Sequence, residues 1–424
     1  MDAAEAYALI QRQLYPTQLT YIQKLVFLGS WNGKSYADLA QETGYDFNYL
    51  KEVGSQVWGL LSNALGERVT KKNLALVIQG GGVSPLGSTR RLATTSGRPG
   101  RPLGANSGVY VMRPPLESNL RQAITQPGCL LHLEGPQGTG KTSLVHHVLS
   151  EVAYMGWSTV YLNMHQVDGA ILAVPRAFWR WLCTCLTQAL GLDESVDTYW
   201  NEDLGGKGSC TSFLEYALLS ANDRPLVLVL DDLQVLENYP QAAMELGQLL
   251  QVWYATLAHP TLWEQLRLVL VHRPLIHLDA AWMPPLVHGE FSLQTLPFTL
   301  EHAQILAERL EVTADPAALE DLVAFVGGNP YLVHAGLVAG AWSQPEALLH
   351  LEPVQQHLSI KEHLINSHAL LTHVWHQFLH NPDQVSPQNR WVRILARLGL
   401  VRHEGDQPSI SCRLYHQALA HIGV

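Results

Sequence analysis

Cysteine, charge and long apolar runs are all scarce in this chain, and each scarcity removes a class of protein. The five cysteines, Cys129, Cys183, Cys185, Cys210 and Cys412, are scattered over 424 residues and no two stand as C-x-x-C. That argues against a disulfide framework or a structural zinc module. Cys183 and Cys185 lie in an apolar segment and read as buried thiols. Only 15% of residues are charged, against 47% hydrophobic, a globular composition. Basic residues are the minority, 27 against 37 acidic, and the net charge of -10 offers no bulk attraction to nucleic acid or anionic membrane. Contact of that kind would need a local basic patch. The apolar runs are short and broken by charge, so no membrane span is expected. The opening MDAAEAYALIQRQLYP has early acids and no apolar signal core. No secretory signal is expected, and a reduced, cytoplasmic setting is.

A chain of this length should hold two to four domains. Residues 1–79 predict an all-α domain. LTYIQKLVFLG has apolar residues near the helical period. In the next stretch Ser35 suits an N-cap, Gly44 a stop, and Asp46 the cap of a following helix with Tyr49, Leu50, Val53, Val57, Leu60 and Leu61 on its apolar side. Helix, tight turn, helix is the helix-turn-helix pattern. Residues 80–108 are rich in Gly, Ser, Pro and Thr and read as a flexible linker. Its arginines, Arg90, Arg91, Arg98 and Arg101, face no acid, which suits a solvated basic tether or, alternatively, a weak phosphate contact.

From residue 109 to 298 β-like runs alternate with helical ones, the layout of an α/β fold around a parallel sheet. The expected strands are Cys129–Glu134, Thr159–Asn163, Leu226–Asp231 and Leu266–His272. Residues 299–345 and 346–385 turn helical. Residues 386–424 read as a helix, a Gly-bearing hairpin and a last strand or helix, which fits a winged helix.

The chemistry concentrates in GPQGTGKT: Gly135, Pro136, Gln137, Gly138, Thr139, Gly140, Lys141 and Thr142, with Ser143 following. This is the full P-loop pattern between an apolar strand and an apolar helix. Glycines let backbone N–H groups turn inward to cradle phosphate, Lys141 neutralises the β and γ charge, and Thr142 offers a hydroxyl to Mg²⁺. ATP or ADP with Mg²⁺ is therefore the expected cofactor. A second metal-holding group is supplied by RPLVLVLDDLQVL, where a fully apolar run ends at Asp231. Asp232 stands where many hydrolysing P-loop proteins place a water-orienting glutamate, and its shorter reach predicts slow hydrolysis. After LRLVLV, His272 and Arg273 either sense the γ-phosphate or only end a strand.

ERVTKKNL, VYVMRPPLE, PGCLLHLEGPQGTGKTSL, TVYLNM, TYWNEDLGGKGSCTSFLEYALL, LVLVLDD and VGGNPYLV occur in order, followed by LGLVR and CRLY. With these the chain resembles the AAA-like proteins of the STAND group, signal-transduction ATPases with numerous domains. The N-terminal block resembles the helix-turn-helix module fused ahead of such domains. The resemblance implies a P-loop core (109–298), a helical lid (299–345), a connector (346–385) and a winged helix (386–424) closing over ATP or ADP. It places Pro330, in Gly327–Pro330, near the adenine, and brings Arg113, in RPPLE, into the site ahead of the P-loop. Two departures weaken the case for rapid turnover: Asp232 replaces the usual glutamate, and Gln234 stands where a second acid is common. Neither sensor repeats nor an effector enzyme follows the winged helix, so other chains are expected to supply them.

Two further patterns carry less. His373, His376 and His380 share a helix face but lack a completing ligand set, so a polar face is expected rather than a metal. Arg390, Arg393 and Arg397 suit DNA phosphates, a solvated face, or docking onto the ATPase core. The helix-turn-helix face is mixed, Lys34 and Lys51 beside Asp38, Glu42, Asp46 and Glu52, which favours a protein partner over DNA. Tyr36, Tyr45, Phe47 and Tyr49 are candidate anchors there. The resulting expectation is an ATP-dependent switch that self-assembles or binds a protein partner, with a DNA-binding regulator as its rival.

Overall fold

The computed structural model describes residues 3–14, 19, 21–43, 47–65, 69–71, 73–74, 77–78, 99–104, 107–192, 195–220, 224–257, 262–276, 292–404 and 407–422. The chain divides into two compact units, Met1–Ser96 with Thr184–Glu194, and Gly97–Cys183 with Ser195–Val424.

The first unit contains α1 (Ala3–Leu14), α2 (Tyr21–Trp31), α3 (Tyr36–Thr43) and α4 (Phe47–Leu65). The helical period is clear in the sequence only from LTYIQKLVFLG onward. Yet α1 puts Ala6, Ile10 and Leu14 on one buried stripe at four-residue spacing. Ser35 caps α3 reciprocally: the Asp38 N–H donates to Ser35 Oγ at 3.1 Å, and the Ser35 N–H to Asp38 Oδ2 at 2.7 Å. On α4, Leu50, Val53, Val57 and Leu61 are buried as the apolar pattern predicts, around Val26, Phe27 and Leu39. Tyr36 is half-buried and accepts the Trp58 indole N–H at 2.9 Å, whereas Phe47 is exposed. Gly44, Tyr45 and Asp46 lie outside the described residues, as does the Tyr49 side chain.

The second unit is built on a parallel five-stranded sheet: β1 (Leu130–Glu134), β2 (Ser158–Asn163), β3 (Leu226–Asp231), β4 (Leu266–His272) and β5 (Ser292–Gln294), in the order β2-β3-β4-β1-β5. Every residue of β1, β3 and β4 is buried, which is why these strands are mostly apolar, β3 without a break as far as Asp231. The edge strand β5 escaped the sequence reading: it has three residues and alternating exposure. Parallel pairing requires crossovers, and the helices Lys141–Tyr154 and Pro240–Leu257 supply two of them. Strand register brings Glu134 beside His272, and Asn163 beside Asp231, at the carboxyl edge of the sheet. That edge is where open α/β sheets place ligands.

Three helices follow, Leu300–Arg309, Pro316–Val326 and Pro330–Val338. Then come Glu352–Asn366, Ala369–His380 and Arg390–Arg397, an antiparallel hairpin of β6 (Val401–Glu404) and β7 (Gln407–Ile410), and a closing helix Arg413–Ala418. One apolar core joins all of these helices, from Ala303 through Leu332, Leu358 and Trp375 to Ile422. Residues 346–385 thus pack into the same core as the hairpin helices. The open question of a last strand or helix resolves to a helix.

None of the five cysteines is in a disulfide; Cys185 is only half-buried, the other four buried. No described helix is long and apolar enough to cross a membrane. Among the described residues no group of three His, Cys, Asp or Glu side chains converges as for a metal ion.

Candidate functional site

The loop Gly135–Gly140 joins β1 to the helix Lys141–Tyr154. Gly138 and Gly140 take φ of +82° and +81°, a region where a side chain is strained. This turns the backbone N–H groups inward. Among the described residues, nothing in the protein accepts from the N–H groups of Gln137, Gly138, Thr139 or Gly140. Four unclaimed amides at a helix N-terminus form an anion nest. The Lys141 ammonium donates to the carbonyls of Gly135 at 2.8 Å and Pro136 at 3.0 Å. Burial lowers its pKa to about 8, against the pull of Asp231, Asp232 and Glu134.

Thr142 Oγ1 donates to Asp231 Oδ2 at 2.7 Å, linking loop helix to the end of β3. Asp231 is fully buried. It also accepts the Tyr161 hydroxyl at 2.8 Å and, through Oδ1, the Asp232 N–H at 2.7 Å. Burial, then the neighbouring Asp232, pushes its carboxyl above the usual range. Asp232 sits at φ +60°, strained for an aspartate. Asn163 Nδ2 and Gln234 Nε2 each donate to it at 2.7 Å. The sequence did not single out Asn163, whose partner lies 69 residues away.

The loop carries contacts from the C-terminal helices as well. Asn329, the N-cap of Pro330–Val338, donates from Nδ2 to Gln137 O at 3.0 Å, and the Tyr331 N–H donates to Gly138 O at 3.1 Å. Arg397 grips Glu134, the residue just before the loop, with both ends of its guanidinium: Nε to Oε1 at 2.7 Å and a second bond to Oε2. Of the three readings open for Arg397, the structure selects docking onto the core; Arg390 and Arg393 are exposed.

These elements surround a cavity of about 980 Å³. Gln137, Gly138, Gly140, Lys141, Thr142 and Ser143 line it, with Arg113, Asp232, Arg273 and Pro330. Arg113 donates to Thr139 O at 2.8 Å and Leu296 O at 3.2 Å. Asp231 lies behind Thr142 and is not on the lining; Gly135, Pro136 and Thr139 are likewise in the loop but off it. His272 is also absent from the lining: it is buried, hydrogen-bonded to Arg273 O at 2.8 Å, and held neutral by burial. Its neighbour Arg273 reaches the cavity and pairs with Glu237 at 2.6 Å. Four cationic side chains, Arg101, Arg113, Lys141 and Arg273, share the lining with one carboxylate, Asp232. The arrangement is built for a polyanion.

A family model described as an AAA-like domain matches residues 98–421. The chain belongs to the AAA-like domain family. Its fold is that of a P-loop ATPase, and nucleotide binding follows from it. Residues 1–80 of this AAA-like protein match a second model, the vWA-MoxR associated protein N-terminal helix-turn-helix. Among solved structures it is similar to a Walker-type ATPase of Pyrococcus abyssi, at 13% identity over 75% of this chain and 98% of that one, with TM-score 0.51. It is similar also to the ORC2 protein of Aeropyrum pernix, at 17% identity over 73% and 92%, with TM-score 0.43. For the RuvB Holliday junction branch migration motor of Thermotoga maritima the identity is 11% over 72% and 94%, with TM-score 0.34. No curated protein matches the chain. At 13% identity the likeness to the Pyrococcus abyssi ATPase speaks to the fold alone.

Proposed function

We propose that this AAA-like protein is an ATP-dependent molecular switch of the STAND type, with slow Mg²⁺-dependent hydrolysis. One observation carries the reading: the C-terminal helices bond directly to the phosphate loop through Asn329 and Tyr331, and to Glu134 just before it through Arg397. A ligand that rearranges the loop amides must act on those bonds. It can bias the two states only by binding them unequally. In this reading residues 299–345 are the lid, 346–385 a connector, 386–424 a winged helix, and 1–79 the output module acting through residues 80–108.

The loop amides of Gln137 to Gly140 would take the β-phosphate, and Lys141 the β and γ oxygens. The flat apolar lining of Val109, Val111, Phe298, Leu306 and Pro330 suits a purine base. Thr142 and Asp231 are hard oxygen donors 2.7 Å apart, and a buried carboxylate gains from a cation; both fit Mg²⁺. When bound, the ion would neutralise phosphate charge. Asp232 would orient the attacking water. Each of its oxygens already accepts an amide hydrogen bond, which weakens it as a base and suits slow turnover. Replacing Asn163 by Ala removes one such bond, worth roughly 2- to 10-fold. The expected result is faster single-turnover hydrolysis with unchanged ADP affinity; slower hydrolysis would mean that Asn163 positions Asp232 productively.

Light scattering of the full chain tests the switch, with Mg-ADP and then a non-hydrolysable ATP analogue, for wild type and Lys141→Ala. Assembly driven by the analogue alone, and lost in the variant, is expected. Mass unchanged across nucleotides would sink switching by self-assembly and turn attention to a separate partner.

A further inference from the structure

The sequence reads residues 80–108 as a tether, but its described end is part of the site. Pro99, Gly100, Arg101, Pro102 and Leu103 all line the cavity. They are fixed there. The Leu103 N–H donates to Ser143 Oγ at 2.9 Å, in the first turn of the P-loop helix. The Leu103 side chain packs on the core of the C-terminal helices. Gly100, at φ +93°, lies against Tyr331, so closely that a Cβ would stand 3.0 Å from the ring. Pro99 and Pro102 restrict the backbone on both sides of Arg101. The segment therefore bridges the two elements that hold the phosphate loop, the P-loop helix and the helix opened by Pro330.

The charges on the lining single out one residue. Lys141 donates to loop carbonyls, Arg113 to Thr139 O and Leu296 O, and Arg273 pairs with Glu237. Arg101 is exposed and has no acceptor among the described residues. A guanidinium that lines a cation-rich cavity, on a backbone restricted by flanking prolines and without an acceptor among the described residues, is matched to an oxyanion of the ligand.

We propose that Arg101, presented by the Pro99–Leu103 strap, is a phosphate ligand of the bound nucleotide. This rests on the nucleotide-binding reading and adds a residue that no P-loop motif contains.

The test is titration of the full chain with adenosine, AMP and ADP, for wild type, Arg101→Ala and Arg101→Lys, beside Lys141→Ala. Arg101→Ala is expected to weaken ADP and AMP about tenfold, the size of one charge-assisted hydrogen bond, and to leave adenosine unchanged. Arg101→Lys should recover part of the loss, since the charge stays and the planar fork goes. Hydrogen exchange at Gly100, Arg101 and Leu103 should slow on ADP addition in the wild type and much less in Arg101→Ala. Equal weakening of adenosine would make Arg101 a structural wall and overturn the proposal. So would wild-type ADP affinity in Arg101→Ala while Lys141→Ala fails to bind, with the nucleotide site itself left standing. Absence of ADP binding by the wild type would instead overturn the reading beneath it.

Discussion

Lys141→Ala is expected to weaken ATP binding by about 100- to 20,000-fold. The estimate follows from two phosphate contacts of a charged donor, at roughly 1.5–3 kcal/mol each, with every 1.4 kcal/mol worth about tenfold. The ammonium is already placed at the loop, 2.8 Å from Gly135 O, so little reorganisation offsets the gain. Acidity gives the prediction a second dimension. Burial lowers the pKa of Lys141 to about 8, and a polyanion at the loop raises it again. Between those two values binding takes up a proton. Affinity should therefore be full below pH 8 and fall by up to tenfold per unit as pH rises above it. Calorimetric titration in two buffers of different ionisation enthalpy reads the proton uptake directly. The Lys141→Ala protein should show no uptake from this group. A wild-type affinity flat from pH 7 to 9.5 would mean that the lysine stays charged in the free protein, or does not touch phosphate.

What the sequence made legible were short-range features. The P-loop is a contiguous string because one turn must present consecutive amides. β3 announced itself because burial on both faces demands an unbroken apolar run, and β1 and β4 are interrupted by only a single interior polar residue each. Ser35 could be read as a cap for the same reason, since a cap spans one helical turn; its partner Asp38 came only with the structure. The legible part stops where the partner is distant in sequence. Asn163 and Asp232 meet because β2 and β3 are neighbours in register, 69 positions apart along the chain. Asn329 reaches Gln137 across 192 positions, and Arg397 reaches Glu134 across 263. No local pattern encodes such pairs. At the end of β4 the sequence named both His272 and Arg273, and only the fold decides between them. The last strand residue turns its ring into the buried layer, and the next one, already in the loop, faces the cavity. The short α1 stripe was present in the sequence and was passed over beside a stronger helical block.

The largest expected effect outside the loop is at Arg397. Replacing it by Met should destabilise the docking of the C-terminal helices by about 2–3 kcal/mol and speed ADP release. The reason is the partner left behind. Glu134 has a side chain only 8% exposed, while that of Arg397 is 43% exposed. Breaking a fully buried pair costs about 3–5 kcal/mol, because one charge remains without compensation. Here water reaches the arginine side, which puts the figure below that range. His272 is a poor substitute: its ring is 4.0 Å from Glu134, and burial disfavours its charged form. Methionine retains the packing of the arginine stem, so the loss reports the ion pair rather than a cavity. Glu134→Gln in the same chain should restore part of the stability, since a neutral amide tolerates the site without a cation. A double-mutant cycle in urea measures that coupling. Glu134 immediately precedes Gly135, so the same bond that anchors the helices also tensions the phosphate loop. If nucleotide state is transmitted there, Arg397→Met should assemble in ADP to an extent that wild type reaches only with the ATP analogue. Wild-type stability and ADP release in Arg397→Met would mean that the pair is a surface ornament, and transmission would have to run through Asn329 and Tyr331 alone.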